Sequence, residues 1–236
     1  KPIHLKLDPG DNSVLVELSK QMFAIEADMQ IQPMEENIHE AGCSNTKLLH
    51  SLSVSSLEED EPEVNVSEKD GYEKKITELM KEDAKLIEAS LCEYFKAPEG
   101  APTEIYEAMR YSLLSGGKRI RPFLTLSFCR MHGGDDKAAI PFACAIETLH
   151  TYSLIHDDMP CLDDDDYRRG TLTNHKKFGE GMAMLCGDGM QASAYEIAAS
   201  NSYVSAGAAL DAVRLLASSA GPAGMVGGQV IDLIGE

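Results

Sequence analysis

The chain has 236 residues, 39 acidic and 21 basic, for a formal charge of −18; 43% are hydrophobic and tryptophan is absent. This length can bury a sizeable core, as one large domain or a medium domain with an appendage. The acidity disfavours nucleic acid as a partner, because phosphate backbones select basic surfaces, but it leaves room for phosphorylated small molecules held through bridging metal ions.

Residues 1–70 carry 15 acidic and 5 basic side chains, net −10. Short apolar pieces such as Val14-Leu15-Val16 alternate there with Pro33, a Ser-rich stretch from Ser51 to Ser56, and the acidic run Glu58 to Glu63. Such a run repels itself into a solvated linker. A domain boundary is therefore expected near Gly71, with 1–70 as an acidic appendage of no assigned function and 71–236 as the domain. The opening Lys1-Pro2-Ile3-His4 has no apolar signal core, and no stretch approaches the roughly 20 apolar residues of a membrane span. A cytoplasmic protein is the expectation. The six cysteines form no Cys-x-x-Cys pair, so free thiols are expected rather than disulfides or a zinc site.

From Tyr72 onward Ile76, Leu79, Ile87, Leu91 and Phe95 recur at helical intervals between Lys and Glu residues. Pro98, Gly100 and Pro102 end that helix, and Thr103 is placed to cap the next, which runs to Leu114. Further helices are predicted over 123–131, 136–158, 179–200, 206–219 and 222–234. Strand alternation flanked by hairpin turns is missing, so the domain reads as all-α.

Two clusters carry chemistry. Asp157-Asp158-Met159-Pro160-Cys161-Leu162-Asp163, continued by Asp164, Asp165 and Asp166, puts six carboxylates within ten residues; Arg168 and Arg169 follow. A solvated acidic loop is the ordinary explanation of such a run. Here it follows an apolar helix directly, and on that helix His150, Leu154 and Asp157 stack on one face. Carboxylates converging at a buried helix end repel one another unless cations share the site, and hard oxygen donors favour Mg²⁺ over zinc. Arg168 and Arg169 offer planar forks for phosphate oxygens. The second cluster is Gly116-Gly117-Lys118-Arg119-Ile120-Arg121-Pro122. It can be a glycine helix cap followed by an exposed basic turn, or a cradle for a second anion held without metal. It is not a Walker A loop, whose earlier Gly and following Ser/Thr are missing.

In order along the chain come Gly116-Gly117-Lys118-Arg119-x-Arg121-Pro122, Glu147-Thr148-Leu149-His150, Asp157-Asp158-x4-Asp163, Arg168-Arg169-Gly170, Asn174-His175, Phe178-Gly179, Gly187-Asp188 and Gly227-Gly228-Gln229-x-x-Asp232. Over about residues 75–236 this resembles the trans-prenyl diphosphate synthases of the bacterial farnesyl and geranylgeranyl type. The resemblance implies an isoprenoid-synthase-type helical bundle around a central cavity. It assigns Asp157, Asp158 and Asp163 to Mg²⁺ on an allylic diphosphate, Arg168 to that same diphosphate, and Lys118, Arg121, His150 and Arg169 to isopentenyl diphosphate. Asp164 to Asp166 would tune local charge.

The implied reaction ionises the allylic C–O bond, joins the cation head to tail to isopentenyl diphosphate, and loses a proton to the released pyrophosphate. Tyr152, five residues or about 7.5 Å before Asp157 along a helix axis, resembles the floor of a C15 pocket, with farnesyl diphosphate as product; ordinary packing is its other reading. Geranylgeranyl diphosphate synthase and a non-catalytic partner subunit are the alternatives, and a homodimer is implied. The family carries a Lys-Thr pair and a second aspartate-rich motif beyond the segment that matches Asp232-Leu-Ile-Gly-Glu236; the 236 residues contain neither. A domain cut short, or a divergent chain, is therefore expected, with little or no synthase activity on its own.

Overall fold

In the computed structural model residues 66–235 are described; the acidic segment 1–65, with Cys43, lies outside them. Among the described residues the chain forms α1 (Val66–Tyr94), α2 (Thr103–Leu113), α3 (Ile120–Met131), α4 (Asp136–Asp157), a hairpin of β1 (Tyr167–Arg168) and β2 (Thr171–Leu172), then α5 (Asn174–Phe178), α6 (Glu180–Ala199), α7 (Ala206–Ala220) and α8 (Met225–Gly235). The all-α expectation holds, with one local exception. The hairpin pairs Tyr167 with Leu172 and Arg168 with Thr171 in antiparallel register. Its turn residues Arg169 and Gly170 both have positive φ, 54° and 80°, the backbone that lets a two-residue connection follow strand twist.

Boundaries shift where local chemistry competes. Helix α1 starts at Val66, so Gly71 lies inside a helix rather than at its border; one interior glycine costs only about 1 kcal/mol. Pro102, not Thr103, is the N-cap residue of α2, and no side chain caps it. Helix α3 begins at Ile120 because Pro122 sits in its first turn, where the missing N–H has no helical acceptor to lose. Helix α8 begins at Met225, after the turn of Pro222 to Gly224.

Helix α4 is the axis of the fold. It packs against α1, α2, α3, α6 and α7. Its Ala143, Cys144, Ala145, Ile146 and Leu149 are buried with Ile87, Leu91, Leu113, Leu126, Met190 and Ala194 from the surrounding helices. Small side chains on α4 and α6 let the two approach closely: a Cβ on Gly187 would lie 2.1 Å from His156 Nε2. By length and composition α4 is apolar enough to cross a membrane, contrary to the expectation that no such stretch exists. Its apolar window is 67% buried inside the protein, which accounts for that composition by core packing. The described cysteines, Cys92, Cys129, Cys144, Cys161 and Cys186, form no disulfide with one another.

Candidate active site

The C-terminal end of α4 builds the acidic half of the site. Asp157 ends the helix and Asp158 is its C-cap residue. The chain then folds back, with Asp163 N donating to Asp157 O at 2.9 Å and Asp164 N to Met159 O at 3.1 Å. The far end is fastened by Thr173, whose hydroxyl donates to Asp165 O at 2.7 Å and whose N–H donates to Asp166 O at 3.0 Å. Lys176 joins Asp166 at 2.7 Å and Asp164 at 3.7 Å, so these two aspartates are paired by a side chain of α5.

Arg168 stands among the remaining carboxylates. Its Nε and Nη2 both reach Asp158 Oδ1 at 2.5 Å, and Nη2 lies 3.6 Å from Asp157 and from Asp165. Burial raises the Asp158 pKa above the usual carboxylate range; Arg168 opposes the shift, while Asp165 and Asp157 add to it. Asp163 is raised too, by desolvation first and then by Asp157 and Asp165, with Asp232 of α8 adding a smaller push. Gln229 of α8 donates from Nε2 to Asp157 Oδ1. Asp157 and Asp163 thus face α8 as well as α4, a relation the sequence showed only as a spaced motif.

The basic half gathers around His150. The loop before α3 turns through Gly116 and Gly117, at φ 87° and 136°, and reaches Arg119 at φ 50°. Arg169, presented by the hairpin turn, donates from Nη1 to Gly116 O. A Cβ on Gly117 would stand 2.7 Å from that same nitrogen, so glycine is what lets the guanidinium settle there. Lys118 is exposed on this loop and Arg121 lies half-buried in the first turn of α3. His150, half-buried on α4, has its pKa pushed down to about 3, by burial first and then by Arg121, Arg169, Arg119 and Arg168 in turn. His150 is therefore neutral at physiological pH, in a field of guanidinium groups. Chain segments around 116–121, 150 and 168–169 come together here.

Between the halves, a narrow recess is lined by polar Ser112, Asp158, Arg168 and Asn174 together with apolar Leu154 and Ile155. Asn174 donates to Ala108 O at 2.9 Å and to Ser112 Oγ at 2.8 Å, while its Oδ1 is buried with no partner among the described residues. Tyr152 is buried on α4, edge-on to His156 at 5.2 Å between ring centroids. Its pKa is raised by burial first and then by Asp188 of α6.

As to a metal, the donor set is oxygen only, and the raised Asp158 and Asp163 show anions that a further cation would relieve. That chemistry fits a hard divalent ion. Among the described residues, however, no three Asp, Glu, His or Cys side chains converge closely enough to hold one, and Arg168 supplies the neighbouring positive charge.

Three residues of this site stood in the sequence motifs without an individual role. Arg119 and Glu147 are both buried and paired at 2.7 Å, and Gln229 is bound to Asp157. Glu147, a carboxylate inside the largely apolar stretch from Phe142 to Leu149, was the clearest sign of a buried partner.

Fold and site together define an all-helical protein in which an aspartate-rich helix end lies near a cluster of guanidinium groups. The chain belongs to the polyprenyl synthetase family, whose pattern residues 102–236 match. Over 142 residues it is 51% identical to the heterodimeric geranylgeranyl pyrophosphate synthase large subunit 1 of Arabidopsis thaliana, covering 59% of this chain and 38% of that protein. Over 163 residues it is 46% identical to the farnesyl diphosphate synthase of Geobacillus stearothermophilus, covering 68% of this chain and 54% of that one. Among solved structures, an apo FPP/GFPP synthase from Zymomonas mobilis superposes with a TM-score of 0.65 at 42% identity, covering 68% of this chain and 58% of that one. The chain spans about half the length, or less, of these curated relatives.

Proposed function

We propose that the chain acts in a short-chain prenyl diphosphate synthase of isoprenoid biosynthesis, which joins isopentenyl diphosphate head to tail to dimethylallyl or geranyl diphosphate and yields farnesyl diphosphate. The observation that carries this reading is an acidic cluster and a basic cluster set apart along one helix. His150 and Asp157 are seven residues apart on α4, about 10.5 Å along its axis at 1.5 Å per residue. One end is built of carboxylates and the other of guanidinium groups and a lysine. Two diphosphates of different binding chemistry are what such a pair would hold.

Asp157, Asp158 and Asp163 would hold Mg²⁺, which when bound supplies the positive charge that a departing pyrophosphate requires. Arg168, already beside these carboxylates, adds a planar fork toward the same diphosphate. Lys118, Arg121 and Arg169 bind the diphosphate of the attacking substrate directly. Neutral His150 donates one hydrogen bond without adding to the charge. Binding energy from that diphosphate fixes the double bond of the nucleophile against the allylic carbon. Tyr152, buried one and a half turns below Asp157, would limit tail length to C15. Geranylgeranyl diphosphate is the second reading, favoured by the likeness to the Arabidopsis protein. A homodimer in a cytoplasmic setting completes the proposal.

Calorimetry with the two substrates tests it. Isopentenyl diphosphate is expected to bind with or without Mg²⁺ and to weaken at least tenfold in Lys118→Ala, since a charge-assisted contact is worth roughly 1.5–3 kcal/mol. A non-ionisable allylic diphosphate analogue is expected to bind only with Mg²⁺ and to be lost in Asp158→Asn. Equal metal dependence of both ligands would refute the assignment.

A further inference from the structure

Arg119 is the middle cation of the basic loop, yet it is only 2% exposed. Four of its five N–H groups are engaged: Nη1 donates to Glu147 Oε1 at 2.7 Å, Nη2 to Leu113 O at 2.7 Å and Glu88 Oε1 at 3.2 Å, and Nε to Glu88 at 3.3 Å. Its donors are engaged inside the protein, whereas Lys118 is exposed. It also sits in the left-handed region at φ 50°, a conformation that costs a non-glycine residue about 1–2 kcal/mol and persists only where the surroundings over-determine it. Its carbonyl accepts the N–H of Phe123 at 3.0 Å and so opens α3.

A buried Arg–Glu pair is a poor stabiliser, because desolvation offsets most of the attraction. What this pair does have is position. Arg119 lies between Lys118 and Arg121, and Glu147 is one turn before His150 on α4. Fixing the one guanidinium on the one carboxylate sets the register of loop, α3 and α4 together.

We propose that Arg119 and Glu147, assisted by Glu88, form a positioning pair: they lock the strained loop so that Lys118, Arg121 and His150 present a preformed anion cradle. The inference rests on the proposed isopentenyl diphosphate reading and adds to it residues that touch no substrate.

The sign of one effect separates positioning from simple charge. Glu147 is an anion among Arg119 and Arg169. If charge alone governed, removing it would raise the local positive potential and tighten diphosphate binding. If it positions the cradle, removal weakens binding. The experiment titrates isopentenyl diphosphate into the full 236-residue chain and its variants by calorimetry, with circular dichroism melts to certify folding. Glu147→Gln and the charge-conserving Arg119→Lys are each expected to weaken binding by roughly tenfold or more, as misplacement of a binding group does. Glu88→Gln alters a partner whose side chain is 42% exposed, keeps the fold, and is expected to weaken binding by about threefold. Folded Glu147→Gln or Glu88→Gln protein that binds as tightly as the parent, or more tightly, overturns the positioning pair alone. A parent chain that binds no isopentenyl diphosphate overturns the cradle reading and the pair with it.

Discussion

At the scale of single residues, His150 shows how a site can store unfavourable charge without containing an ionised histidine. Arg121 of α3, Arg119 of the preceding loop, and Arg168 and Arg169 of the hairpin all oppose its protonation, after burial itself. Its folded pKa of about 3 lies below the ordinary value of 6.5. The unfolded chain therefore binds the proton more readily. This residue's contribution to stability is full above about pH 6.5 and is lost as pH falls toward 3, at up to about 1.4 kcal/mol per pH unit. Urea midpoints measured from pH 7 to pH 5 should fall less steeply in His150→Gln than in the parent. Parallel slopes would show that His150 is not held neutral. The candidate ligands were legible because a carboxylate run behind an apolar helix, and glycines before three cations, declare their chemistry locally. Arg119–Glu147 and Gln229–Asp157 were not, since their partners are 28 and 72 residues apart and meet only through the packing of helices.

At the scale of elements, helical periodicity located every long helix among the described residues, while the ends moved wherever glycine or proline gave a weak signal. Gly71 and Pro122 both fell inside helices expected to exclude them. The hairpin of Tyr167 to Leu172 carried no alternating pattern because two-residue strands are too short to show one. Close packing of α4 on α6 was likewise invisible in periodicity. It depends on Gly187 leaving room for His156, whose Nε2 also meets Met184 O at 3.1 Å. Gly187→Ala should destabilise the parent by about 1–3 kcal/mol, the usual effect of overpacking. In a His156→Ala background the same change should become neutral or stabilise by up to about 1 kcal/mol, because alanine is the better helix former. A double-mutant cycle from denaturant unfolding reads this coupling directly. Equal effects in both backgrounds would mean that the two helices do not meet through this contact.

At the scale of the whole molecule, the charge of −18 has to be reconciled with a site proposed to take diphosphates. Net charge alone predicts that an added anion should be repelled. Net charge is a sum over the chain, however, and a bound anion responds to the charges near it. Charges farther than about 8 Å are largely screened at physiological ionic strength. An anion at the cradle then meets the local field of Lys118, Arg121 and Arg169 around a neutral His150, and not the average of the chain. Binding only to the folded state must stabilise it, by about 2.7 kcal/mol at a ligand concentration of 100 Kd. For a domain of this size that corresponds to a rise in Tm of about 5–10 °C. Isopentenyl diphosphate without added metal should therefore raise the melting temperature of the chain despite its acidity. Lys118→Ala, altering an exposed side chain, should leave the ligand-free Tm in place and shrink the rise. A Tm that stays constant or falls on adding the ligand would mean that the net charge prevails over the cradle.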